Sequence, residues 1–287
     1  MSPFQPTWLA AVRDDAMLVL FALGICIGLT LGLTGAGGSI IAVPILMFGM
    51  GWTVAQAGPV ALLAVASSAA VGAMIGLRQR QVRYRAAILV ASCGVVVSPA
   101  GLMTAKHIPP HLLTVAFAAL LAWASFTALK KSRGSSHVGV SESVGGDGAS
   151  CLRDAATGRF CWTRSCGQAL AITGVGAGFL SGLFGVGGGF FIVPALRRIT
   201  DLSMNAVIAT SMLIIALVSS GAAISAALAG RLPLDVGLPF AFGAVCGMAG
   251  GRMVSGKVDG VLLARGFSAL CGVIAVLLVA REIYAWR

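Results

Sequence analysis

Charge is scarce in this chain. Of its 287 residues only 10% are charged and 58% are hydrophobic, whereas soluble domains carry about 25% charged residues. A soluble fold is therefore excluded. Acidic side chains are rarest, 9 in all. They are Asp14, Asp15, Glu142, Asp147, Asp154, Asp201, Asp235, Asp259 and Glu282, and each falls at the edge of an apolar run, in a polar segment or near a terminus. Cation carriers and proton relays place carboxylates inside the membrane, and this pattern argues against both. Histidine is nearly missing too: His107 and His111 flank Pro109 and Pro110, and His137 sits in a polar stretch. No base, nucleophile and orienting group converge in sequence, so an enzyme is not expected. The 7 cysteines include no CxxC pair, and neither a metal site nor a cofactor is expected.

Long uncharged runs are abundant. Residues 16–77 carry no Asp, Glu, Lys or Arg, and further such runs cover 86–105, 107–129, 165–196, 202–230, 236–251 and 266–280. A membrane-spanning helix takes about 20 apolar residues, so the chain reads as an all-α polytopic membrane protein. No small-residue cleavage site follows the first apolar stretch, so a removable signal peptide is not expected. The net charge of +11 reflects basic loops between spans rather than a nucleic-acid surface. Arg78, Arg80, Arg83 and Arg85 form one cluster, and Lys130, Lys131, Arg133, Arg153, Arg159 and Arg164 another. Two spans separate the clusters, so both can lie on one side, which the enrichment of Lys and Arg in cytoplasmic loops makes the cytoplasm. On that reducing side Cys151, Cys161 and Cys166 are expected as free thiols.

Four segments follow: an N-terminal tail (1–15), a first membrane unit (16–129), a flexible polar linker (130–166) and a second membrane unit (167–287). The two units match at an offset of 150. Gly24, Gly28, Gly32, Gly35, Gly37 and Gly38 correspond to Gly174, Gly178, Gly182, Gly185, Gly187 and Gly188. Val43, Pro44 and Leu46 correspond to Val193, Pro194 and Leu196, and Gly101 and Phe117 to Gly251 and Phe267. Duplicated apolar halves enclose the site of many secondary transporters. With four spans per half the repeats would be parallel; with an odd number they would be inverted. A glycine-rich break in both halves favours inverted repeats of four to five segments each.

The glycine blocks hold two signals. Gly24, Gly28 and Gly32, with their counterparts Gly174, Gly178 and Gly182, recur every four residues and let a neighbouring helix approach closely. Gly35, Gly37 and Gly38, and likewise Gly185, Gly187, Gly188 and Gly189, crowd together and favour an interruption, with Pro44 and Pro194 assigned to the same hinges. Irregular backbone inside a membrane survives only in protein or beside a wet cavity. A helix resuming after such a break aims its free N–H groups at the bilayer interior and attracts anions. Gly37, Gly38, Ser39, Gly187, Gly188, Gly189, Thr210 and Ser211 are the candidate solute-binding residues, with two helix N-termini sharing one anion. A hinge or tight helix crossing without a ligand is the plainer alternative.

The duplicated G-x-x-G-x-G-G-x5-P block at 32–44 and 182–194, with Ala209-Thr210-Ser211 after the second copy, resembles the TauE/SafE family of bacterial sulfite exporters. The resemblance covers nearly the whole chain outside the tail and parts of the linker. It implies export of a small sulfur-containing anion (sulfite, sulfoacetate or a related organosulfur compound) across the inner membrane. The implied partners are that anion and the lipid bilayer, with a homodimer left open. The first half reads Pro59-Val60-Ala61 where the second has Ala209-Thr210-Ser211, so those hydroxyls would serve one half only. Transport of another solute, or a scaffold role without transport, are the alternatives.

Overall fold

The computed structural model describes residues 7–35, 38–133, 151, 163–200, 202–254 and 260–285. The N-terminal tail is described only from residue 7, and most of the linker, including Cys161, lies outside the described residues, as does Gly37. Ten helices are described: α1 (Thr7–Thr34), α2 (Gly38–Met50), α3 (Val54–Arg78), α4 (Tyr84–His107), α5 (Pro110–Arg133), α6 (Arg164–Phe184), α7 (Gly189–Ile199), α8 (Met204–Leu228), α9 (Leu234–Val254) and α10 (Gly260–Ala285). Six are long and apolar enough to cross a membrane by length and composition: α3, α4, α6, α8, α9 and the Met17–Thr34 part of α1. Gly38–Met50, Pro110–Phe126 and Ser268–Ala280 are shorter apolar helices. Leu18, Val96, Phe126, Ile172, Leu228, Phe242 and Met253 are exposed, as side chains facing lipid would be.

Helices associate in lipid through close packing rather than hydrophobic burial, and the regularly spaced glycines provide it. α1 packs along α9 and α6 along α4. At Gly28 an added Cβ would lie 2.7 Å from the Met248 amide nitrogen. At Gly178 it would lie 2.6 Å from the Gly94 carbonyl carbon. These approaches are backbone to backbone, so no rotamer change can relieve a larger side chain. The four-residue spacing thus serves helix packing, as its periodicity suggests.

α3 and α8 pack against each other at the centre, and their contacts fix their directions. Gly76, near the end of α3, faces Ala209, near the start of α8. One turn back, Gly72 faces Met212. The two helices are therefore antiparallel. The Arg83 amide donates to the Thr210 hydroxyl at 3.1 Å, tying the α3–α4 loop to the start of α8. α5 and α10 also pair, through Ser125 Oγ donating to the Ser268 carbonyl at 2.8 Å and Ser268 Oγ to the Ser125 carbonyl at 3.0 Å.

The end of the bundle where α8 begins carries Arg78, Arg80, Arg83, Arg85, Arg164, Arg197, Arg198 and Arg252. The opposite end carries fewer: Arg13 near the start of α1, Lys106, Arg231 and Arg281 near the end of α10, besides His107 and His111.

Two expectations are corrected. Cys151 and Cys166 are not free thiols but form a disulfide. The Cys151 amide also donates to the Ile199 carbonyl at 3.0 Å, so the linker is fastened to the start of α6 and the end of α7. Pro44 and Pro194 do not break the chain either: both sit inside helices, α2 and α7, that continue past them. They fall in the second turn, where a missing N–H costs one hydrogen bond, and the glycines before the helix carry the interruption.

Candidate functional site

α6 ends at Gly185, which adopts φ +73° and donates its amide to the Ser181 carbonyl at 2.9 Å. Gly185 lies against Gly58, near the start of α3. The chain then turns back through Gly187 (φ +71°) and Gly188 (φ +68°), the residue that precedes α7. Left-handed backbone costs an L-residue with a side chain about 1–2 kcal/mol, which accounts for glycine at both positions. Gly188 packs on Ala177 of α6, seven residues before the helix ends, or about 10 Å along its axis. α7 therefore starts inside the bundle and runs back toward the basic end.

The depth of this start can be read from Gly187. It faces Val65 of α3 on one side and Ile215 and Ser219 of α8 on the other. Val65 and Ile215 each lie close to the middle of a 25-residue helix. The second break therefore reaches the crossing of α3 and α8 near mid-depth. Gly188, at the N-cap, has no side chain to cap α7, and among the described residues no other side chain does so, so its first N–H groups depend on other partners.

Ser219 stands next to this terminus. Its Oγ lies 2.5 Å from where a Cβ on Gly187 would be, and the residue is fully buried. Ser181 is also fully buried, one turn beyond Ala177 on the same face of α6. Among the described residues Ser181 and Ser219 are the two whose buried side-chain oxygens have no hydrogen-bond partner. Other membrane hydroxyls bond to their own helix, as Ser68 does to the Ala64 carbonyl and Thr173 to the Ala169 carbonyl at 2.8 Å. Buried polar groups are satisfied in the great majority of cases, and two exceptions flanking one break mark a place for a ligand or water. A cleft bordered by Gly58, Pro59, Leu62, Gly185 and Arg231 approaches the same break from the end opposite the basic one.

The first break is built differently. Gly35 (φ +82°) ends α1 beside Ile208, near the start of α8. The Gly38 amide donates to the Thr34 hydroxyl at 3.2 Å, so a side chain caps the α2 N-terminus. Gly38 packs on Leu31, and Ser39 is fully buried in the first turn of α2.

Of the remaining candidates, the Thr210 hydroxyl accepts the Arg83 amide near the basic end of the bundle. That is five residues before Ile215, or about 7 Å along the axis. Ser211 Oγ donates to the Ile208 carbonyl at 2.8 Å within α8. Thr210 thus holds a loop in place. Residue type and the Ala209-Thr210-Ser211 motif suggested this pair; Ser219 carries the stronger structural signal. It was one hydroxyl among many in the sequence, and only the loss of a helix-bonding partner distinguishes it.

A bundle with six helices long and apolar enough to cross a membrane and a backbone break inside it is the class of a polytopic membrane protein. The family model described as sulfite exporter TauE/SafE matches residues 20–278, and the chain belongs to that family. A probable membrane transporter protein of Xylella fastidiosa (strain 9a5c) is 27% identical over 279 residues, covering 95% of this chain and 96% of that protein. The probable membrane transporter protein YunE of Bacillus subtilis (strain 168) is 26% identical over 255 residues, covering 85% and 90%. No solved structure matches the chain.

Proposed function

We propose that this protein is a secondary transporter that exports a small sulfur-containing anion, such as sulfite, sulfoacetate or a related organosulfur compound, across the bacterial cytoplasmic membrane. The observation that carries the reading is the uncapped α7 N-terminus at mid-depth, facing the unpartnered Ser219 hydroxyl. Free N–H groups, the helix dipole and a hydroxyl form a donor-rich site for an anion. Neither an acidic nor a basic side chain stands among Ser181, Gly185, Gly187, Gly188, Val65, Ile215 and Ser219. A site of dipoles holds an anion loosely enough to release it.

The antiparallel α3 and α8 stand at matched positions of the two halves, and five helices precede the linker and five follow it. α1 on α9 answers α6 on α4, and α2 on α3 answers α7 on α8. These correspondences support inverted repeats around a site near the bilayer midplane, the architecture of alternating access. The arginine-rich end belongs in the cytoplasm on the enrichment of basic residues there. Export then follows the membrane potential: each negative charge leaving gains about 2.3 kcal/mol per 100 mV, so a dianion gains about twice that.

Purified protein in liposomes, with an imposed potential, tests the reading. Saturable flux of sulfite, thiosulfate or sulfoacetate, faster when the compartment holding the anion is negative, is the expected result. Protein shown to be folded that moves none of them would overturn the choice of solute.

A further inference from the structure

We infer that the two halves are unequal and that the solute is bound by the second break alone, with Ser181 and Ser219 as its hydroxyl donors. The inference rests on the transporter reading and names which half carries the site.

Three matched positions differ in one direction, while Ser39 of α2, fully buried, has Gly189 as its counterpart. Thr34 caps the α2 N-terminus through the Gly38 amide; its counterpart is Phe184, which leaves α7 without that cap. Leu31 packs on Gly38, whereas its counterpart is the unpartnered Ser181. Ala69 in α3 has the unpartnered Ser219 as its counterpart in α8. The α2 N-terminus is therefore capped from within the chain, with Ile208 and Leu31 against Gly35 and Gly38. The second break leaves helix N–H groups and two buried hydroxyls for something else to satisfy. Leaving buried donors unmade is costly, and evolution of a merely structural break would be expected to follow the first pattern.

The donor set also narrows the ligand class. Backbone N–H groups donate only, and hydroxyls can donate while retaining their own acceptor sites. The matching ligand is a compact oxyanion with several acceptor oxygens. An organic cation or a metal ion would find no carboxylate among these residues. An anion shared equally between two helix N-termini, the expectation from the duplicated sequence, gives way to one held by α7 with α2 as a closed counterpart.

The test uses the full chain with its native free cysteines replaced, carrying Ser219→Cys or, at the matched position, Ala69→Cys. Both are probed with the small anionic thiol reagent MTSES in membranes, alongside flux of sulfite through Ser219→Ala, Ser181→Ala and Thr34→Val. Labelling of Ser219→Cys at least tenfold faster than Ala69→Cys, slowed by added sulfite, supports the inference. So does a severalfold rise in KM with Ser219→Ala or Ser181→Ala and none with Thr34→Val. Equal labelling of the two cysteines, or no labelling of Ser219→Cys in folded protein, overturns it. Preferential labelling without protection or flux with any sulfur anion would keep the single-sided site and remove the proposed solute.

Discussion

Gly187→Ala separates backbone strain from loss of a site, because the molecule supplies its own control. Gly187 and Gly230 have nearly the same left-handed φ, +71° and +68°. An alanine at either costs about 1–2 kcal/mol for left-handed geometry. Their surroundings differ. At Gly230 nothing lies within 4 Å of the added Cβ, whereas at Gly187 it meets Ser219 Oγ at 2.5 Å and Val65 Cγ1 at 3.0 Å. The methyl must displace the Ser219 hydroxyl or push α8 from α3, adding about 1–3 kcal/mol as overpacking does. It also fills the space in front of the α7 N-terminus. Both variants are expected to melt below wild type in detergent, Gly187→Ala further. In liposomes Gly230→Ala should retain most anion flux, and Gly187→Ala should lose at least tenfold at matched folded protein. Equal flux in the two variants would refute the placement of the site at Gly187.

Three further outcomes are expected. Gly28→Leu and Gly178→Leu press a side chain on the backbone of the facing helix, so folded, monodisperse protein should fall sharply on size-exclusion chromatography, whereas Gly250→Leu, with open space around it, should be tolerated. Thr210→Val removes the acceptor of the Arg83 amide and should cost about 1–3 kcal/mol for an unsatisfied group, read as a lower melting temperature with the KM for solute unchanged; a raised KM would return Thr210 to the solute site. Reducing the bond between Cys151 and Cys166, which are 15 residues apart, should destabilise purified protein by about 3 kcal/mol on the loop-entropy estimate. Thiol trapping in intact cells then tests orientation, since a disulfide persists in an oxidising compartment: full oxidation there would place the basic end outside and overturn the cytoplasmic assignment made from its arginines.

Much of the architecture was legible because membranes restrict the choices. Uncharged runs revealed the helices, and the spacing of Gly24, Gly28 and Gly32 revealed a packing stripe. The stripe did not name α9 as its partner, since one surface of small residues resembles another. The break at Gly185–Gly189 was legible from crowding of glycine, but its neighbours were not. Ser219 and Ser68 are alike in sequence; Ser68 bonds to Ala64 and Ser219 to nothing in the described residues. That difference arises from where each helix face points after packing. Pro44 and Pro194 looked like breaks because proline ends many helices, yet both helices continue past them at the cost of one hydrogen bond each. The linker disulfide escaped because a spacing of 15 residues carries no pairing signal until the end of α7 brings Cys151 to Cys166.

The most direct test of the account is potential-driven efflux of sulfite from liposomes containing wild-type protein or Ser219→Ala. Saturable efflux that grows with an inside-negative potential, with a raised KM in the variant, is the expected result. Identical kinetics in the two proteins would contradict the site, and absence of sulfite, thiosulfate and sulfoacetate flux in folded wild type would contradict the proposed solute.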